Sequence, residues 1–369
     1  MTGPMAPVRD TVDSRVESAL QRRLTAHTHT AEAYGTEFAR LLRLTSERAV
    51  GGKLLRPRLF LDVTDAFGAS LADDVREDAI VELATALELL HFGFLLHDDV
   101  IDGDTMRRGR PNLIGELRRA PFSEGSRAPR GTSPKQEHWA SSSAILAGDL
   151  LLTSAVLDLA RADIPPRQRH RLLNLMEAVV IETVAGEHTD VGLSDGILAP
   201  SLSDVLLMMT RKTAAYSFEL PLRAAAVLAD APAEVEALLA VVGRRLGLAY
   251  QLQDDLLSTF GDAGRHGKDP HSDLREGKET AIIAYARTTE TWPLIEPRFG
   301  SPHPEAGDAL LIRDLLRECG AEQFARNLME EQLHEARSAL QEGGLASSLP
   351  SSVRHCLLRT AASIEGRSS

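Results

Sequence analysis

Apolar residues recur along this chain at steps of three, four and seven, the spacing that gives a helix one buried face, and alternating stretches rich in β-branched residues are hard to find. The pattern predicts an all-α protein. Helices are expected over about 12–48, 57–67, 74–102, 140–161, 168–190, 203–229, 233–260, 278–288, 308–318 and 320–342. Two stretches break the rhythm. Gly115 to Glu137, rich in Pro, Gly, Ser and Arg, reads as a flexible surface loop (about 115–137) joining two helices. Gly261 to Gly277 replaces apolar residues with Gly, Asp, His and Pro directly after a set of carboxylates. There is no internal repeat, and residues 1–369 read as a single all-α domain.

Composition narrows the partners. With 43% hydrophobic and 25% charged residues the chain has enough apolar material for a sizeable core. A formal net charge of -12 argues against nucleic acid, whose binding rests on Lys and Arg neutralising phosphates. Cys319 and Cys356 are the only cysteines, and neither has a partner at metal-ligand spacing, so no disulfide framework or zinc site is expected. Met1 to Asp10 holds no apolar stretch of signal-peptide length, and no run approaches the roughly 20 apolar residues of a spanning helix. The expectation is a soluble, cytoplasmic protein with no membrane span.

The segment from Asp78 to Asp102 is apolar nearly all round, as for a helix enclosed on every side, yet Glu88, His91, Asp98 and Asp102 interrupt it. At about 100° per residue these four share one narrow stripe. Buried charge needs a partner or a ligand. Asp98, Asp99 and Asp102 would repel one another if left alone, and a hard divalent cation resolves the conflict. Oxygen-only ligation favours magnesium. Gly103 to Pro111 then adds Arg107 and Arg108, and carboxylates with metal followed by guanidinium groups suit a diphosphate. An acidic helix end facing solvent is the bland alternative, made less attractive by the flanking Leu95, Leu96, Val100 and Ile101.

A second helical segment ends in Tyr250-Gln251-Leu252-Gln253-Asp254-Asp255, with Gly243 and Gly247 at four-residue steps before it forming an expected small-residue groove. Lys268 and Lys278 follow. In Gly51-Gly52-Lys53-Leu54-Leu55-Arg56-Pro57, two cations stand at the start of a helix, where backbone N–H groups favour anions. Taken alone, Lys212 reads as a snorkelling surface lysine and His91 as a core histidine.

The strings GGKLLRP, LLHDDVIDGDTMRRGRP, KT, YQLQDD and GKDPHSDLREGK, in this order, resemble the trans-polyprenyl diphosphate synthases of the geranylgeranyl and farnesyl diphosphate synthase type. The resemblance spans Gly51 to Lys278. It implies an isoprenoid-synthase helical bundle around a deep central cavity, usually a homodimer. It implies that Asp98, Asp99 and Asp102 bind two Mg2+ ions and Asp254 a third. Lys53, Arg56, His91 and Arg108 match the isopentenyl diphosphate pocket. Arg107, Lys212, Thr213, Gln251, Lys268 and Lys278 match contacts to an allylic diphosphate. Gly186-Glu187-His188-Thr189-Asp190 matches a further motif in which Asp190 supports the cations, with Glu187 where Gln is usual. Ser258 stands where the second aspartate motif usually ends in Asp, and Asp262 lies one turn beyond.

The implied activity is magnesium-dependent condensation of isopentenyl diphosphate with an allylic diphosphate. Asp98, Asp102, Lys212, Asp254 and Lys268 would act on the leaving diphosphate. Phe94, one turn before Asp98, and Leu90, two turns before it, would set product length, and Gly93 is expected to leave space beside them. Geranylgeranyl diphosphate is the favoured product, with farnesyl or longer products the alternatives. A class I terpene cyclase would not need the isopentenyl site formed by Lys53, Arg56 and His91, and a non-catalytic subunit would not need intact aspartates.

Overall fold

The computed structural model describes residues 8–68, 77–107, 109–119, 133–261, 272–301, 307–341 and 344–366. The chain is all-α, as its periodicity predicts. The helices are α1 (Val8–Ala31), α2 (Thr36–Ala49), α3 (Leu55–Phe67), α4 (Glu77–Ile101), α5 (Leu113–Arg119), α6 (Pro134–Arg161), α7 (Pro166–Ser194), α8 (Leu202–Met209), α9 (Leu220–Leu228) and α10 (Ala233–Phe260). They continue as α11 (Ser272–Glu276), α12 (Ala281–Ala286), α13 (Trp292–Ile295), α14 (Asp308–Glu318), α15 (Ala321–Ala339) and α16 (Ser351–Glu365). Among the described residues the only strands are two-residue pieces, β1 (Met106–Arg107) and β2 (Arg110–Pro111), paired antiparallel with Arg107 opposite Arg110.

Contacts group into two compact units. One comprises Met1–Asp62 and Ala72–Leu173, the other Val63–Leu71 and Asn174–Ser369. In the first, α4 packs closely on α6, because Gly93 and Gly148 remove side chains from the crossing. A Cβ at Gly93 would stand 2.8 Å from the Leu152 side chain, and one at Gly148 would stand 2.5 Å from the His97 ring. The space expected beside Gly93 is thus taken up by its neighbours. Leu152 and the Gly148 carbonyl occupy that side.

The largest differences from the periodicity in the first unit lie at Gly35 and around the expected loop. The helix expected over 12–48 breaks at Gly35, whose φ of 107° suits a residue without Cβ, and it resumes at Thr36. The loop expected over 115–137 is helical at both ends, and residues 120–132 lie outside the described ones. Its first part is α5, capped by Asn112, whose Oδ1 accepts from Gly115 N at 2.9 Å. Gly115 is a packing glycine here, since a Cβ would lie 2.2 Å from the Thr105 carbonyl oxygen. Its last part opens α6, where the Ser133 hydroxyl accepts from Gln136 N and Pro134 occupies the first turn.

Helices α4 and α6 are each long and apolar enough to cross a membrane by length and composition. For α4 the cause is enclosure, as 72% of its most apolar window is buried inside the fold. Helix α6 instead leaves Trp139, Ile145, Leu146, Val156 and Leu157 exposed.

Candidate active site

In the first unit, α4 runs to Ile101 and Gly103 ends it, with φ 71°. The Asp102 N–H still donates to the Asp98 carbonyl at 2.8 Å, so the two carboxylates stand one helical turn apart on one face. Both are half-buried, whereas Asp99 is 3% exposed. The hairpin β1–β2 turns Arg107 back onto them. Its Nε and Nη2 donate to Asp99 Oδ1 at 3.0 and 2.6 Å, and Nη2 also reaches Asp98 Oδ2 at 3.3 Å. Burial pushes the Asp99 carboxyl up to about 6, against the opposing pull of the Arg107 charge and hydrogen bond.

Sequence reasoning missed the residue that fixes this hairpin. Asn112 donates its side-chain amide to the Asp104 carbonyl at 2.8 Å and its backbone N–H to Thr105 O at 3.0 Å, besides capping α5. A polar residue directly after Arg110–Pro111 was the available signal. His91 lies half-buried on α4, Arg56 is buried in the first turn of α3, and Lys53 is exposed just before it. The chain enters α3 through left-handed backbone at Gly51 and Leu54, with φ 86° and 48°. Arg108 lies outside the described residues.

In the second unit, Lys212 and Thr213 belong to a π-helical segment, Thr210–Glu219, set between α8 and α9. Such wide turns concentrate at functional sites. Glycines let other helices approach its backbone. A Cβ at Gly186 would stand 2.3 Å from Lys212 N, one at Gly243 2.8 Å from Glu219 Cα, and one at Gly247 2.6 Å from Ala214 Cα. The groove expected at Gly243 and Gly247 is thus filled by this segment. Its far end is tied by Glu219, which accepts from Arg223 at 2.8 Å and pairs with Arg244 at 2.7 Å, while Arg244 also grips Glu182 at 2.6 and 2.8 Å. Lys212 is no snorkelling surface residue. Its ammonium lies 2.6 Å from Asp190 Oδ2 and 3.0 Å from Glu187 Oε2.

Helix α10 ends at Phe260, as expected from Phe260-Gly261. Asp254 is half-buried on its last turns, and the Gln251 amide donates to Asp255 at 2.8 Å. Ser258, where the second aspartate motif usually ends in a carboxylate, donates its hydroxyl to Asp273 Oδ2 at 2.5 Å. Asp273 belongs to α11, inside the second break in the periodicity, and its carbonyl accepts from Lys278 N at 3.0 Å. Sequence reasoning also missed Asp273; the repeated acidic residues in GKDPHSDLREGK were the hint. Lys268 and Asp262 lie outside the described residues. Among the described residues no three His, Cys, Asp or Glu side chains are gathered as a ready metal cage.

The family profile described as Polyprenyl synthetase matches residues 39–296, which include both aspartate segments. A short chain isoprenyl diphosphate synthase of Methanocaldococcus jannaschii is 32% identical over 65% of this chain and 63% of its own length, so the chain spans somewhat less than two thirds of that relative. A geranylgeranyl pyrophosphate synthase of Geoglobus acetivorans is 32% identical over 79% of this chain and 81% of its own. Among solved structures, a geranylgeranyl pyrophosphate synthase from Corynebacterium glutamicum, complexed with isoprenyl diphosphate and magnesium, has a TM-score of 0.84 at 24% identity, covering 97% of this chain and 99% of the other. The resemblance carried by five ordered motifs therefore holds over most of the chain, and the protein belongs to the polyprenyl synthetase family.

Proposed function

We propose that the protein is a chain-elongating prenyltransferase that joins isopentenyl diphosphate to an allylic diphosphate and makes geranylgeranyl diphosphate. The observation that carries this reading is the end of α4, where Arg107 bridges Asp98 and Asp99 and Asp102 stands one turn on. Carboxylates closed onto a guanidinium form a set that a dianionic or trianionic ligand with its cations can open. The named relatives support synthesis over a terpene cyclase or a silent subunit.

The donor set fits magnesium. It offers carboxylate oxygens only, and the lack of a preformed cage among the described residues suits an ion that keeps waters and phosphate oxygens in its shell. Asp98, Asp99, Asp102 and Asp254 would hold it, as three ions, and bound there it supplies positive charge against the departing diphosphate. Arg107 then exchanges carboxylate for phosphate oxygens, keeping paired, charge-assisted hydrogen bonds. Lys212, Thr213, Gln251, Lys268 and Lys278 would hold the allylic diphosphate and steady the charge that grows as its carbon–oxygen bond breaks. Lys53, Arg56, His91 and Arg108 would place isopentenyl diphosphate for head-to-tail attack, replacing a rare encounter in solution. No side chain is needed as a dedicated base, because the released diphosphate accepts the proton. The exposed apolar face of α6 supports a homodimer.

Purified protein incubated with magnesium, isopentenyl diphosphate and each of three allylic primers should give elongated diphosphates ending at C20. Hydrocarbons or cyclic alcohols would instead identify a cyclase. Phe94 is half-buried one turn before Asp98 and remains the candidate floor for the product now that Gly93 faces Leu152. Phe94→Ala is expected to shift the products by at least one five-carbon unit, read by chromatography of the dephosphorylated alcohols. An unchanged product length would remove Phe94 from that role.

A further inference from the structure

Just beyond the π-helical segment Thr210–Glu219, Pro221 disfavours an ordinary α turn, because it has no N–H to donate four residues back to Ser217 and its ring crowds that carbonyl. The Leu220 N–H donates instead to the Ala215 carbonyl, five residues back. A wider turn advances by less than the about 100° per residue of an α-helix. Over the seven residues from Lys212 to Glu219 that difference accumulates. The direction of Lys212 therefore depends on whether the segment keeps its π form.

Glu219 is where that form is held. Its buried carboxylate accepts from Arg223 Nη1 at 2.8 Å and lies 2.7 Å from Arg244 Nε. Each arginine is gripped in turn by a second carboxylate. Arg223 donates to Glu236 Oε1 at 3.1 and 2.8 Å, and Arg244 forks onto Glu182 at 2.6 and 2.8 Å. Gly243 lets α10 come so close that a Cβ there would stand 2.8 Å from Glu219 Cα, which sets the next residue, Arg244, against the carboxylate. Arg244 thus joins α7, which carries Asp190, the π segment, which carries Lys212 and Thr213, and α10, which carries Asp254. A guanidinium fork fixes direction as well as distance. We propose that Glu219 and Arg244 are positioning residues of the allylic subsite, locking the π form of Thr210–Glu219 and with it the direction in which Lys212 and Thr213 meet diphosphate. Both act through the backbone between Glu219 and Lys212. The inference rests on the reading of Lys212 and Thr213 as allylic diphosphate contacts.

The test is steady-state kinetics with the allylic primer and isopentenyl diphosphate varied in turn, beside hydrogen exchange of the full-length protein, for wild type, Arg244→Met, Arg244→Lys, Glu182→Gln and Lys212→Ala. Methionine keeps an unbranched stem and removes the fork, whereas Glu182→Gln weakens only the outer end of the chain of pairs. Arg244→Met is expected to raise the allylic KM about tenfold, to leave the isopentenyl diphosphate KM within about twofold, and to speed amide exchange over 210–219 about tenfold. Arg244→Lys and Glu182→Gln should move the allylic KM and the exchange the same way by about threefold. A lower kcat with both KM values unchanged would mark a role in stability alone and overturn the proposal, as would wild-type exchange over 210–219. If Arg244→Met does not fold, the two milder variants decide, and wild-type values in both refute the lock. An allylic KM raised by Lys212→Ala but not by the Arg244 variants overturns the positioning role alone. If Lys212→Ala also leaves the allylic KM unchanged, the assignment of Lys212 fails and the positioning role with it.

Discussion

Replacing Asp98 with alanine should lower the condensation rate about a thousandfold, the scale seen when one preorganised charge-stabilising group is removed from a reaction centre. The two neighbouring aspartates differ in how they hold Arg107. Asp98 holds Arg107 through one 3.3 Å contact, and the two shorter Arg107–Asp99 bonds stay in place without it. A half-buried pair of that length contributes about 0–1 kcal/mol to stability. Asp98→Ala should therefore lose turnover while keeping the Arg107–Asp99 pair that closes the hairpin. Asp99→Ala removes two of the three Arg107 hydrogen bonds and leaves a half-buried guanidinium with fewer partners, so it should cost about 1–3 kcal/mol as well as activity. Single-turnover elongation with labelled isopentenyl diphosphate, beside thermal melting, resolves the two. A rate for Asp98→Ala within tenfold of wild type would take the first aspartate segment out of the chemistry.

What the sequence discloses here is residue type and periodicity; what it conceals is pairing. Helix α10 at 233–260 and α14 at 308–318 were legible residue for residue, because each carries an unbroken apolar face between clear breakers. Helix α16 was not expected, although Val353, Cys356, Leu357, Ala361 and Ile364 are buried at helical steps and Pro350 precedes them. Its small, polar opening, Ser351-Ser352, hid a pattern that was present. The π segment could not be seen at all, since a period fitted over 203–229 averages across ten residues of wider helix.

The site followed the same rule. Carboxylates and cations were found by type and spacing, but Arg107 on Asp98 and Asp99 and Asp273 on Ser258 depend on turns whose direction the sequence does not encode locally. The last of these changes how the substitution at Ser258 reads. Its hydroxyl is bound to a carboxylate that α11 supplies from fifteen residues away.

Glycines were the hardest residues to read, and one of them carries the largest structural prediction. Gly186 opened a motif in which support of the cations was assigned to Asp190 and Glu187 stood where Gln is usual, with no role for the glycine itself. In the fold, a Cβ there would lie 2.3 Å from Lys212 N and 2.8 Å from Arg211 C and Lys212 Cα. All three are backbone atoms of the π segment, so nothing can rotate away. Gly93 differs, because the nearest atoms to its Cβ are the far end of Leu152, a side chain with other rotamers, and a carbonyl at 3.2 Å. Gly186→Ala should therefore destabilise the protein by about 1–3 kcal/mol, the range for overpacking a rigid contact, and Gly93→Ala by less. The consequence for function is sharper than for stability. Moving Lys212 away from Asp190 and Glu187 misplaces its ammonium, so the allylic KM of Gly186→Ala should rise about tenfold or more, whereas that of Gly93→Ala should stay near wild type. Melting curves and initial rates over a range of allylic primer concentrations measure both. Equal stability and equal KM for the two variants would mean that the π segment shifts without cost, and that its approach to α7 does not position Lys212.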